Sequence, residues 1–157
     1  MEFCRRHVYA HIPAGCLRFA DGSFFSVEKE VWGELPARMN QCYRLGIDIG
    51  STTVKVAVID DNNKILFADY ERHYANIQET LASLLKKCKG ELGELSLRPN
   101  ITGSGGLTLS GYLHIPFVQE VVAVATALQD YAPRTDVAIE LGGEDAKIIY
   151  FTGGIDQ

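Results

Sequence analysis

Two short segments constrain the fold of this chain more than any other feature. Each has an apolar run that contains one acid, then a turn of glycine and small polar residues, then a second apolar run. The segments are GIDIGSTTVK at 46–55 and AIELGGEDAK at 138–147. Short apolar runs bounded by turn residues are typical of buried strands. Because the same pattern occurs twice, the sequence indicates two equivalent hairpins of a duplicated fold.

Composition argues against several classes of protein. The 157 residues are 46% hydrophobic and 22% charged, which is ordinary for a globular protein. The net charge of −5 disfavours a nucleic acid or an anionic membrane as partner. No apolar run approaches the roughly 18 residues of a membrane span, and the residues after Arg5 and Arg6 are too polar for a secretory signal. The four cysteines lack the CxxC spacing of a closed zinc site. We therefore expect a cytoplasmic protein.

The apolar periodicity predicts alternating strands and helices. Strands are predicted at 45–49, 54–59, 65–70, 99–102, 136–141 and 146–151, with two shorter candidates at 8–10 and 24–27. An amphipathic helix is predicted to begin after Asn76, which forms a variant capping box with Glu79, and to stop at Gly90. A second helix is predicted at 119–131. Since Cys88 lies on the apolar face of the first helix, we expect it in the core.

This order of elements predicts an α/β fold of the ribonuclease-H-like type, with a mixed sheet and helices on its faces. The last two strands form the first hairpin of a second such unit. We assign 43–134 to the first unit and 135–157 to the start of the second. Residues 1–42 form an N-terminal extension of unclear role. They are interpreted either as a segment upstream of a natural start at Met39 or as a small hairpin.

The turn of the first segment has the composition of a phosphate-binding turn. Small residues let the backbone approach an anion closely, so that successive N–H groups can face it. Asp48 lies just before the turn, where a carboxylate is able to hold hydrated Mg²⁺ or position a water molecule. We expect Asp48 as a catalytic residue that binds the metal through water. The expected phosphate ligands are Gly50, Ser51, Thr52, Thr53 and Lys55.

The second segment and one further loop repeat this chemistry. Gly142 and Gly143 provide the second turn, with Glu140 as the corresponding catalytic and metal-binding acid. The loop after the strand at 99–102 contributes Gly103 and Ser104 as phosphate ligands, since loops at strand ends commonly line a nucleotide cleft. Considered singly, each feature has a structural alternative. The turn at 50–53 also fits an ordinary turn, Glu140 a salt-bridged edge residue, and the loop at 103–106 a linker. A P-loop and a dinucleotide-binding motif are excluded, because the acid precedes the turn and a strand follows it.

Together these motifs resemble the actin, sugar kinase and heat-shock-70 superfamily of ATPases. Within it they resemble the BadF/BadG/BcrA/BcrD ATPases, which include activators of 2-hydroxyacyl-CoA dehydratases. The resemblance covers 43–157 and rests on GIDIGSTT at 46–53, ITGSG at 101–105, IPFVQEV at 115–121 and ELGGEDAK at 140–147. It implies a two-domain fold that clamps ATP and Mg²⁺. It also implies a homodimer with one [4Fe-4S] cluster, in which ATP hydrolysis drives electron transfer to a dehydratase or related reductase.

The chain departs from this family pattern at positions that bear on the metal and the cluster. Glu140 stands where the family usually has Asp, and Gly106 stands where activators often carry Arg. Ala123 occupies the place of the first cluster-ligating Cys, and the second ligand would lie beyond Gln157. We therefore predict no iron–sulfur cluster in this chain. The resemblance also implies that most of the second domain is absent, so we expect weak ATP binding and little turnover by the chain alone.

Two other functions fit the same fold. A small-molecule kinase of the superfamily would need a general base near the acceptor hydroxyl, commonly an Asp at a strand end. The loop at 102–106 offers no such acid. A regulatory or assembly module would keep the fold without the cluster, and Ala123 favours that alternative over an activator.

Overall fold

The computed structural model describes residues 42–143 and 145–151, together with the backbone of two short strands at 17–18 and 26–27. The strands and helices predicted from residue 45 onward are all present, and a helix at Gly106–Leu113 lies between the predicted strand at 99–102 and the predicted helix at 119–131, where the sequence left helix or loop open. In chain order the elements are β1 (Leu17–Arg18), β2 (Ser26–Val27), β3 (Cys42–Ile49), β4 (Thr53–Ile59), β5 (Ile65–Arg72), α1 (Ile77–Leu92), β6 (Ser96–Thr102), α2 (Gly106–Leu113), α3 (Glu120–Tyr131), β7 (Val137–Leu141) and β8 (Ala146–Tyr150).

Six of the strands form one sheet, in the order β2-β1-β6-β3-β4-β5. β3 and β6 are parallel, whereas every other neighbouring pair is antiparallel. A parallel pair needs a long crossover connection, which β4, β5 and α1 provide here. The sheet is therefore mixed, and the predicted α/β class with a mixed sheet is confirmed.

The hydrophobic core lies between one face of this sheet and α1, which contacts β4 and β5. Alternate residues of β3 and β4 face the core, because successive side chains of a strand point to opposite faces. The core side chains of β3, β4 and α1 are Leu45, Ile47, Ile49, Val54, Val56, Val58, Leu81, Leu84, Leu85 and Cys88. Burying one such Leu, Ile or Val side chain stabilises the fold by about 1.5–3 kcal/mol. Cys88 is 1% exposed, so its predicted place in the core is confirmed.

Both predicted ends of α1 need correction. Asn76 is the N-cap residue, but its side chain makes no capping hydrogen bond, so the capping box with Glu79 does not form. The helix also continues through Gly90 to Leu92 and ends at Gly93, whose φ is +76°. The physical reason is packing, since Leu92 lies against the core and holds the last turn in place. A mid-helix glycine costs only about 1 kcal/mol relative to alanine, which tertiary contacts readily offset.

The N-terminal region adds two short strands to the sheet. β1 pairs antiparallel with β2, and it also pairs antiparallel with β6 through Leu17 opposite Leu97. The strand predicted at 24–27 is shortened to β2, and the role of residues 1–42 remains a prediction. The strand predicted at 8–10 lies outside the described residues. No helix in the described part of the chain is long and apolar enough to cross a bilayer.

β7 and β8 form a separate two-stranded sheet, which is the predicted second hairpin. Its register places Glu140 opposite Lys147 and Leu141 opposite Ala146. One face of the hairpin is exposed, and five of its larger apolar side chains lie there: Val137, Ile139, Leu141, Ile148 and Tyr150. The division of the chain into units at 42/43 and 134/135 remains a prediction.

Candidate functional site

The polar residues of the site gather where β3 and β6 end. Because these strands are parallel, their carboxyl ends lie at the same edge of the sheet, and Asp48 pairs in register with Thr102. The Oγ1 atom of Thr102 is shielded from solvent and has no hydrogen-bond partner among the described residues. A buried hydroxyl without a partner is uncommon in folded proteins. This edge therefore holds a carboxylate and an unsatisfied hydroxyl on neighbouring strands.

The first turn connects β3 to β4. The N–H group of Gly50 donates to the carbonyl oxygen of Thr53 at 2.9 Å, which closes the turn. Ser51 and Thr52 are exposed, and their N–H groups have no hydrogen-bond partner among the described residues. Within the predicted phosphate-binding set, the amides of Ser51 and Thr52 are thus available to an anion, whereas the amide of Gly50 serves the turn itself.

The Gly-rich loop after β6 packs directly against the end of β3. Gly103 has a φ of +95°, and a Cβ atom there would lie 2.5 Å from Asp48 Oδ1 and 2.3 Å from the carbonyl oxygen of Ile49. The N–H group of Gly105 donates to that same carbonyl oxygen at 2.9 Å. The position of Gly103 requires glycine, both because its backbone is left-handed and because no side chain fits. Ser104, the other predicted ligand of this loop, is exposed and its N–H group has no described partner.

The second turn, between β7 and β8, approaches the first. The N–H group of Gly142 donates to the carbonyl oxygen of Asp145 at 2.8 Å. This hydrogen bond corresponds to the one from Gly50 to Thr53 in the first turn. A Cβ atom on Gly143 would lie 2.8 Å from Thr52 Oγ1 and 3.4 Å from Ser51 Oγ. The N–H group of Gly143 has no hydrogen-bond partner in the part of the chain that the structure describes. The backbone of one turn thus contacts the side chains of the other.

The two acids of the site have different surroundings. Asp48 Oδ2 accepts a hydrogen bond from Lys55 Nζ at 2.6 Å, and the two residues pair across β3 and β4. Lys55, predicted to contact phosphate, therefore has its ammonium group on the carboxylate instead. Glu140 Oε2 is shielded from solvent and has no partner among the described residues.

These donors fit a magnesium ion that is bound mainly by other ligands. Within 42–143 and 145–151, no group of three or more His, Cys, Asp or Glu side chains converges on one point. A cage made only of protein ligands is therefore not indicated by these residues. Mg²⁺ usually keeps several waters and takes one or two carboxylates together with substrate phosphates. Asp48 and the unpartnered oxygen of Glu140 are suited to that arrangement.

Lys147 fixes the second hairpin to the rest of the fold. Its ammonium group forms ion pairs with Glu120 at the start of α3 and, at 3.0 Å, with Asp145 Oδ2. The hydrogen bond that Lys147 donates to Glu120, followed by the one that it donates to Asp145, raises the pKa of Lys147 above its ordinary value. The lysine thus remains charged at any physiological pH, and the second turn is held in place from the side of α3.

His73 is a site residue that the sequence interpretation missed. Its side chain is buried, with Nε2 3.3 Å from the carbonyl oxygen of Gly50. Its backbone N–H group donates to the carbonyl oxygen of Thr52 at 3.1 Å. The signal lay in the strand register, since β4 and β5 pair with Thr53 opposite Arg72. The residue after β5 must then lie beside the first turn.

The structure brings most of the predicted site residues to one edge of the fold. The first turn contacts the second, and the loop at 103–105 contacts the residues that precede the first turn. Glu140 lies on β7 two residues before the second turn. These contacts bring several unpaired amides beside Asp48, with Glu140 on the strand that leads into the second turn; amides and acids are the groups that bind an oligophosphate with a divalent cation.

Solved structures of other proteins share the fold of this chain. No protein-family profile and no curated protein sequence matches the chain. Among solved structures, component A of (R)-2-hydroxyglutaryl-CoA dehydratase from Acidaminococcus fermentans is 23% identical with a TM-score of 0.57, over 69% of this chain and 42% of that one. The activator of 2-hydroxyisocaproyl-CoA dehydratase from Clostridium difficile, solved with bound ADPNP, is 22% identical with a TM-score of 0.56, over 69% and 41%.

The ethanolamine utilization protein EutJ from Carboxydothermus hydrogenoformans is similar to the same part of the chain. It is 17% identical with a TM-score of 0.53, over 69% of this chain and 47% of that one. The chain thus spans less than half of the length of each of these three proteins. At these identities the likeness concerns the fold. Over this part the chain shares the mixed-sheet, ribonuclease-H-like fold of these three proteins.

Proposed function

We propose that this chain is the ATP-binding and ATP-hydrolysing part of an ATPase similar to the 2-hydroxyacyl-CoA dehydratase activators. The observation that carries the proposal is the contact between Gly143 and Thr52, through which the second turn meets the first. Two glycine-containing turns that meet beside an acid at a strand end form a grip for an oligophosphate.

The amides without partners are the proposed phosphate ligands. The N–H groups of Ser51, Thr52, Ser104 and Gly143 would donate to phosphate oxygens, because they have no described partner and lie on exposed or glycine backbone. Gly50, Thr53, Gly103 and Gly142 shape the turns that present them. Backbone amides donate without the cost of ordering a flexible cation, which suits a chain with a net charge of −5.

Asp48 and Glu140 are proposed as the acids of the reaction. Asp48 would hold the hydrated magnesium ion and orient the attacking water. Glu140, on β7 just before the second turn, would be the second acid that binds the metal. When bound, Mg²⁺ neutralises charge on the phosphate oxygens. Lys55 Nζ holds Asp48 Oδ2 at 2.6 Å and keeps this carboxylate compensated, and a metal with its waters would compete with that ion pair. Lys55 is then placed to turn toward a phosphate.

Coupling to electron transfer and the partner enzyme are proposed only for a protein that contains this chain and the rest of the activator fold. Since the chain spans about two fifths of the activators to which it is similar, coupling of ATP hydrolysis to electron transfer is proposed for the longer protein only. A 2-hydroxyacyl-CoA dehydratase or a related reductase is the proposed partner, with the protein acting as a cytoplasmic homodimer. For this chain alone we expect ATP binding that is weak and turnover that is slight or absent.

Titration with ATP and Mg²⁺ tests the proposal. Nuclear magnetic resonance of the 157-residue chain should show shifts confined to the two turns and the loop at 103–105, with binding weaker when Mg²⁺ is omitted. Asp48→Asn should remove the Mg²⁺ dependence while the circular dichroism spectrum stays unchanged. Asp61→Asn is the matched control, because Asp61 is an exposed acid in the β4–β5 turn. Shifts spread over other surfaces, or Mg²⁺ dependence retained in Asp48→Asn, would refute the assignment.

The non-catalytic module stays a second candidate because Ala123 lies on α3 where an activator would carry a cysteine ligand. Purified longer protein separates the candidates. Iron content and a brown colour support an activator, ATP-dependent phosphorylation of a metabolite supports a kinase, and nucleotide binding with neither property supports the module.

A further inference from the structure

His73 makes several contacts with the first turn from the neighbouring strand. It directly follows β5 and is only 9% exposed, although its ring is polar. The backbone N–H of His73 donates to the carbonyl oxygen of Thr52, and its ring Nε2 lies 3.3 Å from the carbonyl oxygen of Gly50. His73 therefore contacts the turn twice, with its ring at Gly50 and with its backbone at Thr52, and these two contacts restrict the conformation of the turn.

The protonation pattern of the ring follows from a third hydrogen bond. The N–H of Ala75 donates to His73 Nδ1 at 3.0 Å, so Nδ1 must be the unprotonated nitrogen. In a neutral imidazole the proton is then on Nε2, which makes Nε2 a donor to the carbonyl oxygen of Gly50. Tyr74 and Ala75 have φ values of +45° and +70°, and this left-handed pair directs the Ala75 amide back onto the ring. The backbone after β5 is thus shaped around one tautomer of His73.

We propose that His73 is a positioning residue of the phosphate-binding turn. The carbonyl of Gly50 and the N–H of Ser51 belong to one planar trans peptide and point in opposite directions. When Nε2 holds the carbonyl oxygen of Gly50, it therefore directs the N–H of Ser51 away from the protein interior. His73 sets the direction of this amide before any anion arrives. The inference rests on the proposed nucleotide site and adds the residue that preorganises it.

Two substitutions separate the two ring nitrogens. In His73→Asn the amide oxygen replaces Nδ1 and still accepts from Ala75, but the side chain is too short to reach Gly50. In His73→Gln the amide nitrogen takes the place of Nε2 and restores the donor to Gly50. We expect His73→Asn to weaken binding of ATP and Mg²⁺ by about 3- to 10-fold, the worth of one ordinary hydrogen bond, and His73→Gln to stay within about 2-fold of the native chain.

A measurement without nucleotide accompanies the titration. Amide hydrogen exchange at Gly50, whose N–H donates to the carbonyl oxygen of Thr53 and closes the turn, should accelerate in His73→Asn and remain native in His73→Gln, and the ring nitrogens of His73 should show the proton on Nε2. His114→Asn is the matched control, since His114 is exposed and has a φ of +54°, which asparagine tolerates.

The outcomes are distinguishable. If the native chain does not bind ATP, the proposed function fails, and the exchange rates and ring nitrogens still decide whether His73 holds the turn. If His73→Asn binds ATP and exchanges the Gly50 amide like the native chain, or if the ring proton is on Nδ1, the positioning role is overturned. Equal weakening in both His73 variants would also overturn it, because the restored donor would then have no effect.

Discussion

The alanine substitution of Gly103 tests how closely the loop packs on the acid of the first turn. A Cβ atom at this position would lie 2.3 Å from the carbonyl oxygen of Ile49 and 2.5 Å from Asp48 Oδ1. The carbonyl group of Ile49 is backbone and has both its oxygen and its carbon within 2.5 Å of that position, so backbone must move to accept the methyl group. Overpacking of this kind costs about 1–3 kcal/mol.

The backbone conformation of Gly103 adds a second cost. Its φ of +95° lies in a region that residues with a Cβ atom rarely adopt, at a cost of about 1–3 kcal/mol. If the two terms add, Gly103→Ala lowers the free energy of unfolding by about 2–6 kcal/mol. That is a large share of the roughly 5–15 kcal/mol by which a domain is stable.

Gly90→Ala is the matched control, because it adds the same methyl group in a different setting. Gly90 lies inside α1, and a Cβ atom there would have no atom within 4 Å. Alanine should therefore stabilise the protein by about 0.5–1 kcal/mol. Urea unfolding followed by far-ultraviolet circular dichroism measures both variants. The reasoning is refuted if Gly103→Ala is as stable as the native chain, or if both variants shift in the same direction.

The remaining predictions concern the core and the second hairpin. Leu84→Ala should destabilise the chain by about 2–5 kcal/mol in the same unfolding assay, since Leu84 is fully buried. Burial raises the pKa of the Cys88 thiol from its ordinary 9.0 to about 11. Stability should therefore fall as pH rises from about 9 to about 11, by at most about 2–3 kcal/mol, because only the unfolded thiol ionises there; Cys88→Ala should remove this slope. Lys147→Met should speed amide exchange in β7 and β8, whereas Lys64→Met, at an exposed lysine of the β4–β5 turn, should not. Unchanged exchange in Lys147→Met would show that its ion pair with Glu120 does not hold the hairpin.

The strands could be predicted because their signal is local. Val54, Val56 and Val58 alternate with less buried residues, and such a period-two pattern records one buried face. The end of α1 could not be predicted in this way. Gly90 looks like a stop in the sequence, but Leu92 packs against the core and carries the helix two residues further. Local propensity is weak compared with the burial of one large apolar side chain.

Some features of the candidate site could likewise be predicted from the sequence and others could not. Its acids and glycines could be identified from their types and spacing, since Asp48 and the turn after it are adjacent in the chain. The role of Lys55 as a partner of Asp48 and the contact of His73 with Gly50 depend on strand register. Register is set by the pairing of whole strands, which a local pattern does not encode uniquely.

By itself the sequence determined two strand–turn–strand segments, each with an acid and small turn residues, and an α/β order of elements that joins them. Only the tertiary structure decided that Gly143 contacts Thr52 and that the N–H groups of Gly50 and Gly142 form hydrogen bonds within their own turns. The physical reason is that residues far apart in the chain meet only through tertiary contacts, such as those of Gly143 with Thr52 and of Lys147 with Glu120. The chemical types of those residues are set by the sequence, and their distances from one another are set by the fold.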